Sequence, residues 1–116
     1  MFPGESVRAD KRGFARTRFQ EPISYQLKEA SEFGGCLGCD ISEWGLRINF
    51  NDFVPVNTEM ALSMKLYSIS KVIDLIGRVA WLQRLPYSDR YQVGLQFVKV
   101  DPISQEEIRR YVRSQH

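Results

Sequence analysis

Two short groups of polar residues have the types and spacings that binding chemistry requires. The first lies between Arg8 and Arg18, where five basic residues and one acidic residue form the densest positive patch. The second is a D-x-S-x-x-G pattern made by Asp40, Ser42 and Gly45. Because side chains alternate across a strand, Asp40 and Ser42 should share one face. A solvated basic terminus and a simple turn between strands are the ordinary alternatives for these two groups.

Glycine at position 45 has two possible uses in the second group. It allows the chain to turn, and it also allows a ligand to approach the backbone without meeting a Cβ atom. The pattern alone does not choose between them.

A third candidate is the C-x-x-C pair of Cys36 and Cys39. A zinc site would need two more ligands, and the single histidine is the last residue, His116. A thioredoxin-like redox pair would begin a helix after a strand, whereas glycine-rich, extended sequence surrounds these cysteines. The spacing therefore predicts two ordinary thiols in a strand or turn, and no metal site.

Composition limits the classes of protein that remain. With 116 residues, 43% of them hydrophobic and 26% charged, the chain suits one globular domain. The absence of a long apolar run or a signal-peptide pattern predicts a cytoplasmic protein without a membrane partner. A net charge of +2 is too small for a general nucleic-acid binder, so any basic site has to be local. No serine–histidine–carboxylate set is present, which predicts a binding protein and not an enzyme.

Apolar residues with a period of two predict a mainly β protein. Gly77 interrupts the longest of these segments and suggests a bend or bulge. Residues 28–35 carry charge and a Gly-Gly pair, which predicts a loop, while residues 1–11 show no period and predict a flexible arm. The predicted strands are 23–27, 38–41, 46–50, 60–66, 71–82 and 91–97.

The end of the chain has a helical pattern. Ser104 and Glu107 have the spacing of a capping box, and Ile108, Tyr111 and Val112 then fall on one face. Alternating strands followed by one terminal helix predict an antiparallel barrel with a helix attached.

Three stretches, in the right order, resemble the PilZ domain family of bacterial cyclic di-GMP receptors. Arg12–Arg16 matches the family's R-x-x-x-R, Asp40–Gly45 matches its D/N-x-S-x-x-G, and Val93–Phe97 is similar to its last strand. The resemblance extends to about Arg113 and assigns residues 12–116 to the domain. It implies a six-stranded antiparallel PilZ-type β-barrel with a C-terminal α-helix.

The resemblance also implies a ligand, cyclic di-GMP, and no further cofactor. It places Arg12, Arg16, Asp40, Ser42 and Gly45 in the binding site. The residue types suit this ligand, because the fork of an arginine binds phosphate oxygens or the O6/N7 edge of guanine. A carboxylate at position 40 can accept from guanine N1 and N2, and the Ser42 hydroxyl can add a hydrogen bond.

Four further residues have two interpretations each. Arg8 and Lys11 are possible phosphate contacts or solvated charges. Trp81 lies near the position where some family members stack an aromatic ring on guanine, although its alternation with Ile73, Leu75 and Val79 favours the core. Trp44, next to charged Glu43, is expected to be exposed.

These observations predict a receptor that relays the cyclic di-GMP level to a protein partner of unknown identity, with motility, biofilm, polysaccharide or virulence as output. A PilZ-like adaptor that ignores the nucleotide, a small barrel that binds single-stranded RNA, and a thiol redox protein are the alternatives. The modest net charge argues against the RNA-binding barrel, so no nucleic-acid partner is expected.

Overall fold

The computed structural model describes residues 16–28, 32–66 and 70–115. The predicted arm at residues 1–11, and with it Arg8, Lys11 and also Arg12, lies outside these ranges. In chain order the elements are β1 (Thr17–Arg18), β2 (Pro22–Leu27), β3 (Phe33–Ile41), β4 (Gly45–Phe50), β5 (Glu59–Leu66), β6 (Lys71–Arg84), β7 (Tyr91–Lys99) and α1 (Pro102–Ser114).

Six of the strands close into an antiparallel barrel, as predicted. The order around the barrel is β3-β2-β5-β6-β7-β4, and pairing of β4 with β3 completes the ring. Strand β1 is a two-residue addition that pairs Thr17 with Ile41 and Arg18 with Asp40 of β3. The second motif, Asp40–Gly45, connects β3 to β4. Closure of the barrel pairs β3 with β4 and β4 with β7, so the motif is held between paired strands.

Alternating apolar residues from the strands fill the barrel interior, and α1 adds Ile108 and Val112. The ring of Tyr111 packs edge-on against Phe19, with centroids 5.8 Å apart. Among the described helical residues, no segment is long and apolar enough to cross a membrane. The buried apolar residues of the strands and their connections are Phe19, Ile23, Ile41, Leu46, Ile48, Phe50, Val54, Met60, Leu62, Met64, Leu66, Ile73, Leu75, Val79, Val93, Leu95 and Phe97.

Strand β6 contains two irregularities in its pairing with β7. The register shifts once between Ile76 and Gly77, where the extra residue is Val98 of β7 and not the predicted bulge residue in β6. It shifts again between Val79 and Trp81, where the extra residue is Ala80 of β6. The extra residue at Ala80 reverses the phase of the alternation, so Trp81 leaves the face that carries Val79 and is 42% exposed. The expectation that Trp81 belongs to the core is therefore wrong.

Two other boundaries differ from the prediction. Strand β3 begins at Phe33, inside the segment predicted to be a loop, and its glycines pair with Ser24 and Tyr25 of β2. A Cβ on Gly34 would approach Tyr25 Oη to 3.2 Å, so the side chain of β2 occupies the space that glycine leaves. Composition alone does not reveal such tertiary pairing.

The helix also begins earlier than the proposed capping box at Ser104. Its N-cap is Asp101, whose Oδ1 accepts from Ser104 N at 2.8 Å and whose Oδ2 accepts from Ser104 Oγ at 2.9 Å. Pro102 fits the first turn, where its missing N–H is not needed. The backbone hydrogen bond from Ser104, followed by the hydroxyl bond, lowers the pKa of Asp101.

Replacing Asp101 with alanine should lower the Tm by a few degrees at neutral pH, because the start of α1 loses its cap. A lowered pKa in the folded state means that the ionised cap stabilises the fold above the ordinary carboxyl pKa of 3.8. This contribution should disappear as the pH falls below that value. Melting curves of the unaltered chain, Asp101→Ala and the still-capping Asp101→Asn between pH 7 and pH 3 check this, and a Tm difference independent of pH would contradict it.

Candidate functional site

The second motif forms a tight connection between β3 and β4. Ser42 N donates to Gly45 O at 2.9 Å, and Trp44 N donates to Ser42 Oγ at 3.3 Å. The Ser42 hydroxyl in turn donates to Gly45 O at 3.5 Å. Ser42 is thus buried, and its side chain holds the turn together.

The structure gives Gly45 a specific packing role. A Cβ at this position would lie 2.6 Å from the carbonyl oxygen of Leu95, a backbone atom that cannot move aside easily. Gly45 pairs with Gln96, so its lack of a side chain lets β4 start directly against β7. Of the two uses considered for this glycine, close approach of backbone to backbone is the one the described residues display.

Asp40 is the charged centre of the site, and an arginine binds each of its carboxylate oxygens. Arg16 Nε donates to Oδ1 at 2.8 Å, with Nη2 at 2.7 Å from the same oxygen. Arg47 Nη2 donates to Oδ2. Arg16 Nη1 also lies 3.5 Å from Ser42 Oγ, which confirms that Asp40 and Ser42 share one face. The side chain of Asp40 is only 13% exposed.

A row of paired residues extends from Asp40 across four strands of the outer face. Asp40 of β3 pairs with Arg47 of β4, Arg47 with Gly94 of β7, and Gly94 with Trp81 of β6. Neighbouring strands are about 4.8 Å apart, so the row brings charged and aromatic groups within reach of one small ligand.

This row forms part of a cavity of about 500 Å³. Its size falls within the usual range for small-molecule sites, about 300–1,000 Å³. Arginine, carboxylate, hydroxyl and indole groups lie together there. The lining comprises Arg16, Asp40, Ser42, Trp44, Gly45, Leu46, Arg47, Ala80, Trp81, Gly94, Leu95 and Gln96.

Gly94 provides the space for the indole of Trp81. A Cβ built on Gly94 would overlap Nε1 and Cε2 of Trp81, so the ring lies directly over the glycine backbone. The ring is half-exposed and borders the cavity, where its flat face can stack on a planar group.

Glu43 connects the motif to the C-terminal helix. Its carbonyl oxygen accepts from Gln105 Nε2 at 2.8 Å, and its carboxylate accepts from Arg109 Nε at 2.7 Å. That bond is the main reason why the pKa of Arg109 is raised. Next to it, Trp44 O accepts from Phe97 N at 2.9 Å while the indole is 46% exposed, in agreement with the prediction. A movement of the turn would therefore change the hydrogen bonds between Glu43 and α1.

The predicted site residues within the described ranges, Arg16, Asp40, Ser42 and Gly45, lie together. Sequence analysis missed Arg47 and Gly94. Arg47 lies two residues after Gly45 at an outward-facing position of β4, a signal that was available in the sequence. The role of Gly94 depends on the bulge at Ala80, which no pattern in the sequence indicates.

The cysteines lie on β3 next to the site, and the structure argues against a redox pair. Burial raises the pKa of Cys36 to about 11 and also raises that of Cys39, which opposes thiolate formation. Three residues of extended strand separate Cα atoms by about 10 Å, too far for a disulfide. Within residues 16–28, 32–66 and 70–115, no group of three or more potential ligands could hold a metal ion.

A larger cavity of about 770 Å³ lies on the outer face of β2, β5 and β6. Its lining includes Phe33, Ala61, Ile76 and Val100, and its charged groups are Asp74, Lys99 and Asp101. Of the predicted site residues in the described part of the chain, none lines it. The smaller cavity, where the arginines and the carboxylate converge, is the candidate site.

Replacing Gly94 with alanine should push the Trp81 indole off the strand and into solvent, with the barrel intact. In a Trp44→Phe background, acrylamide should then quench the remaining tryptophan fluorescence more strongly. Gly35→Ala is the matched control, because a Cβ there meets nothing closer than 3.9 Å. Equal quenching in the two folded variants would show that Gly94 does not seat the ring.

The fold is shared with several solved structures at low sequence identity. The Bacillus subtilis inhibitor of motility MotI/DgrA aligns with a TM-score of 0.78 and 17% identity over 91% of this chain and 51% of its own. The Klebsiella MrkH–c-di-GMP complex aligns at 0.73 and 17% over 91% and 52%. The PilZ domain of Escherichia coli YcgR with c-di-GMP aligns at 0.69 and 12% over 91% and 92%. The chain thus spans about half the length of MotI/DgrA and MrkH.

No curated protein is significantly similar to the chain in sequence. The profile of the PilZ domain family, however, matches residues 10–114, which include both motifs and α1. The closed six-stranded barrel with one terminal helix agrees with this match. The chain belongs to the PilZ domain family.

Proposed function

We propose that this protein is a cytoplasmic receptor for cyclic di-GMP that passes the level of this messenger to a protein partner. The main support for this proposal is that Arg16, from the first motif, contacts Asp40 and Ser42, from the second. Two motifs separated by more than twenty residues thus meet at the rim of one cavity.

The solved relatives support the choice of ligand. The names of the MrkH complex and of the YcgR domain both record bound c-di-GMP. Regulatory modules of this family bind a ligand and do not transform it, which is the basis for proposing a receptor and not an enzyme.

The chemistry of the cavity suits a cyclic dinucleotide. Arg16 supplies planar donors for phosphate oxygens or a guanine edge. Arg12, which lies outside the described residues, is proposed to add a second set of such donors. Trp81 offers a stacking surface for a base, and stacking on an aromatic side chain contributes about 1–3 kcal/mol per base. Several ligand contacts stay predictions. They are direct hydrogen bonds from the ligand to Asp40 and the Ser42 hydroxyl, close approach of the ligand at Gly45, and phosphate contacts from Arg8 and Lys11.

The contacts of Glu43 suggest how binding reaches a partner. A ligand that draws on Arg16 alters the surroundings of Ser42, whose hydroxyl holds the turn. Glu43, the next residue, is hydrogen-bonded to Gln105 and Arg109 of α1. The half-exposed Trp44 and the outer face of α1 are therefore the surfaces proposed to change when ligand binds.

Replacing Arg16 with alanine should weaken cyclic di-GMP binding by about 1.5–3 kcal/mol, the usual contribution of a hydrogen bond to a charged group. This corresponds to roughly a tenfold to hundredfold rise in Kd by titration calorimetry. The fold should persist, because the side chain is 46% exposed.

Arg78→Ala is the matched control for this experiment. Arg78 is 44% exposed and paired with the Glu59 carboxylate at 3.3 Å, but it lies outside the cavity. Equal affinities for Arg16→Ala and the unaltered chain would remove Arg16 from the site. Failure of the unaltered chain to bind would instead favour the adaptor that ignores the nucleotide.

A further inference from the structure

The structure sets a condition that any anionic ligand has to meet. Arg16 is bound to Asp40 in the structure, and the carboxylate side chain is only 13% exposed. A phosphate that recruits Arg16 removes the partner of Asp40 Oδ1. A largely buried carboxylate that is left with no cation at all is strongly destabilised. If Arg16 leaves, another cation therefore has to stay bound to Asp40.

Arg47 is placed to meet this condition. It lies opposite Asp40 in the β3–β4 pairing, and its Nη2 already donates to the other oxygen, Oδ2. Its Nη1 donates to Gln92 Oε1 at 3.4 Å, which gives the guanidinium a second hydrogen-bond partner. Unlike Arg16, it comes from the middle of a paired barrel strand.

One donor of Arg47 is unused. Its Nε is buried and has no acceptor among the residues that the structure describes. In a guanidinium, Nε–H and one N–H of Nη2 point from the same edge, and Nη2 is the nitrogen that already donates to Asp40. An idle buried donor is unfavourable, and an acceptor arriving at this edge would relieve it.

We propose that Arg47 is a positioning residue that retains Asp40 when Arg16 turns to the ligand. In this exchange Arg16 leaves Oδ1, the carboxylate rotates, and Arg47 binds both oxygens through Nε and Nη2 in a two-pronged pair. The inference rests on the proposed function and assigns no ligand contact to Arg47. Asp40 thus keeps its charge and position in both states.

The test is a set of calorimetric titrations of the 116-residue chain with cyclic di-GMP. R47Q is expected to raise Kd about tenfold, because Asp40 then competes with the ligand for its only arginine. R47K, which keeps the charge, should recover part of the loss. R78Q, an equally exposed ion-paired arginine outside the site, should bind like the unaltered chain.

A second background separates positioning from direct contact. In D40N no charge has to be retained, so adding R47Q should change Kd by less than about twofold. An equal loss in both backgrounds would mean that Arg47 contacts the ligand and would overturn the proposal, as would unchanged binding by R47Q alone. If D40N does not bind, the comparison of R47K with R47Q decides, and equal losses overturn the proposal. No binding by the unaltered chain would instead refute the proposed function.

Discussion

The Asp40 carboxylate is held between two guanidinium groups while most of its surface is withdrawn from water. Such a group needs a cation at all times, because the desolvation of an unpaired carboxylate costs several kcal/mol. The need ties the segment before β1 to β3 through Arg16, and β3 to β4 through Arg47. The carboxylate also offsets part of the repulsion between the two arginines.

The pairing of the barrel strands and the irregularities in that pairing position the charged and aromatic groups of the site. Closure places β3, β4, β7 and β6 side by side, which aligns Asp40, Arg47, Gly94 and Trp81 in one row. The extra residue at Ala80 turns the tryptophan outward, and the missing side chain at Gly94 leaves room for it. A regular β6 would have buried the same indole among core residues, so the bulge converts a packing residue into part of the cavity wall.

Local patterns in the sequence were sufficient to predict the strands and the face shared by Asp40 and Ser42, because period-two alternation and motif spacing are short-range properties. The start of β3 was missed because Gly34 and Gly35 have low intrinsic strand preference and are held by pairing with β2. The N-cap was misplaced by three residues because Asp101-Pro102 and the later Ser104 both carry start signals. The position of Trp81 depends on a bulge, and the role of Arg47 on a neighbour across the sheet; both are tertiary facts.

Recognition of a guanine dinucleotide is the central claim, and one comparison tests it most directly. The 116-residue chain is titrated calorimetrically with cyclic di-GMP, cyclic di-AMP and GTP under identical conditions. Arginine donors suit the O6 and N7 acceptors of guanine, whereas adenine presents an amino group in place of O6. GTP offers one guanine and no ring of two phosphates. The account predicts clear binding of cyclic di-GMP and much weaker binding of the other two nucleotides; equal affinity for all three, or no heat with cyclic di-GMP, would contradict it.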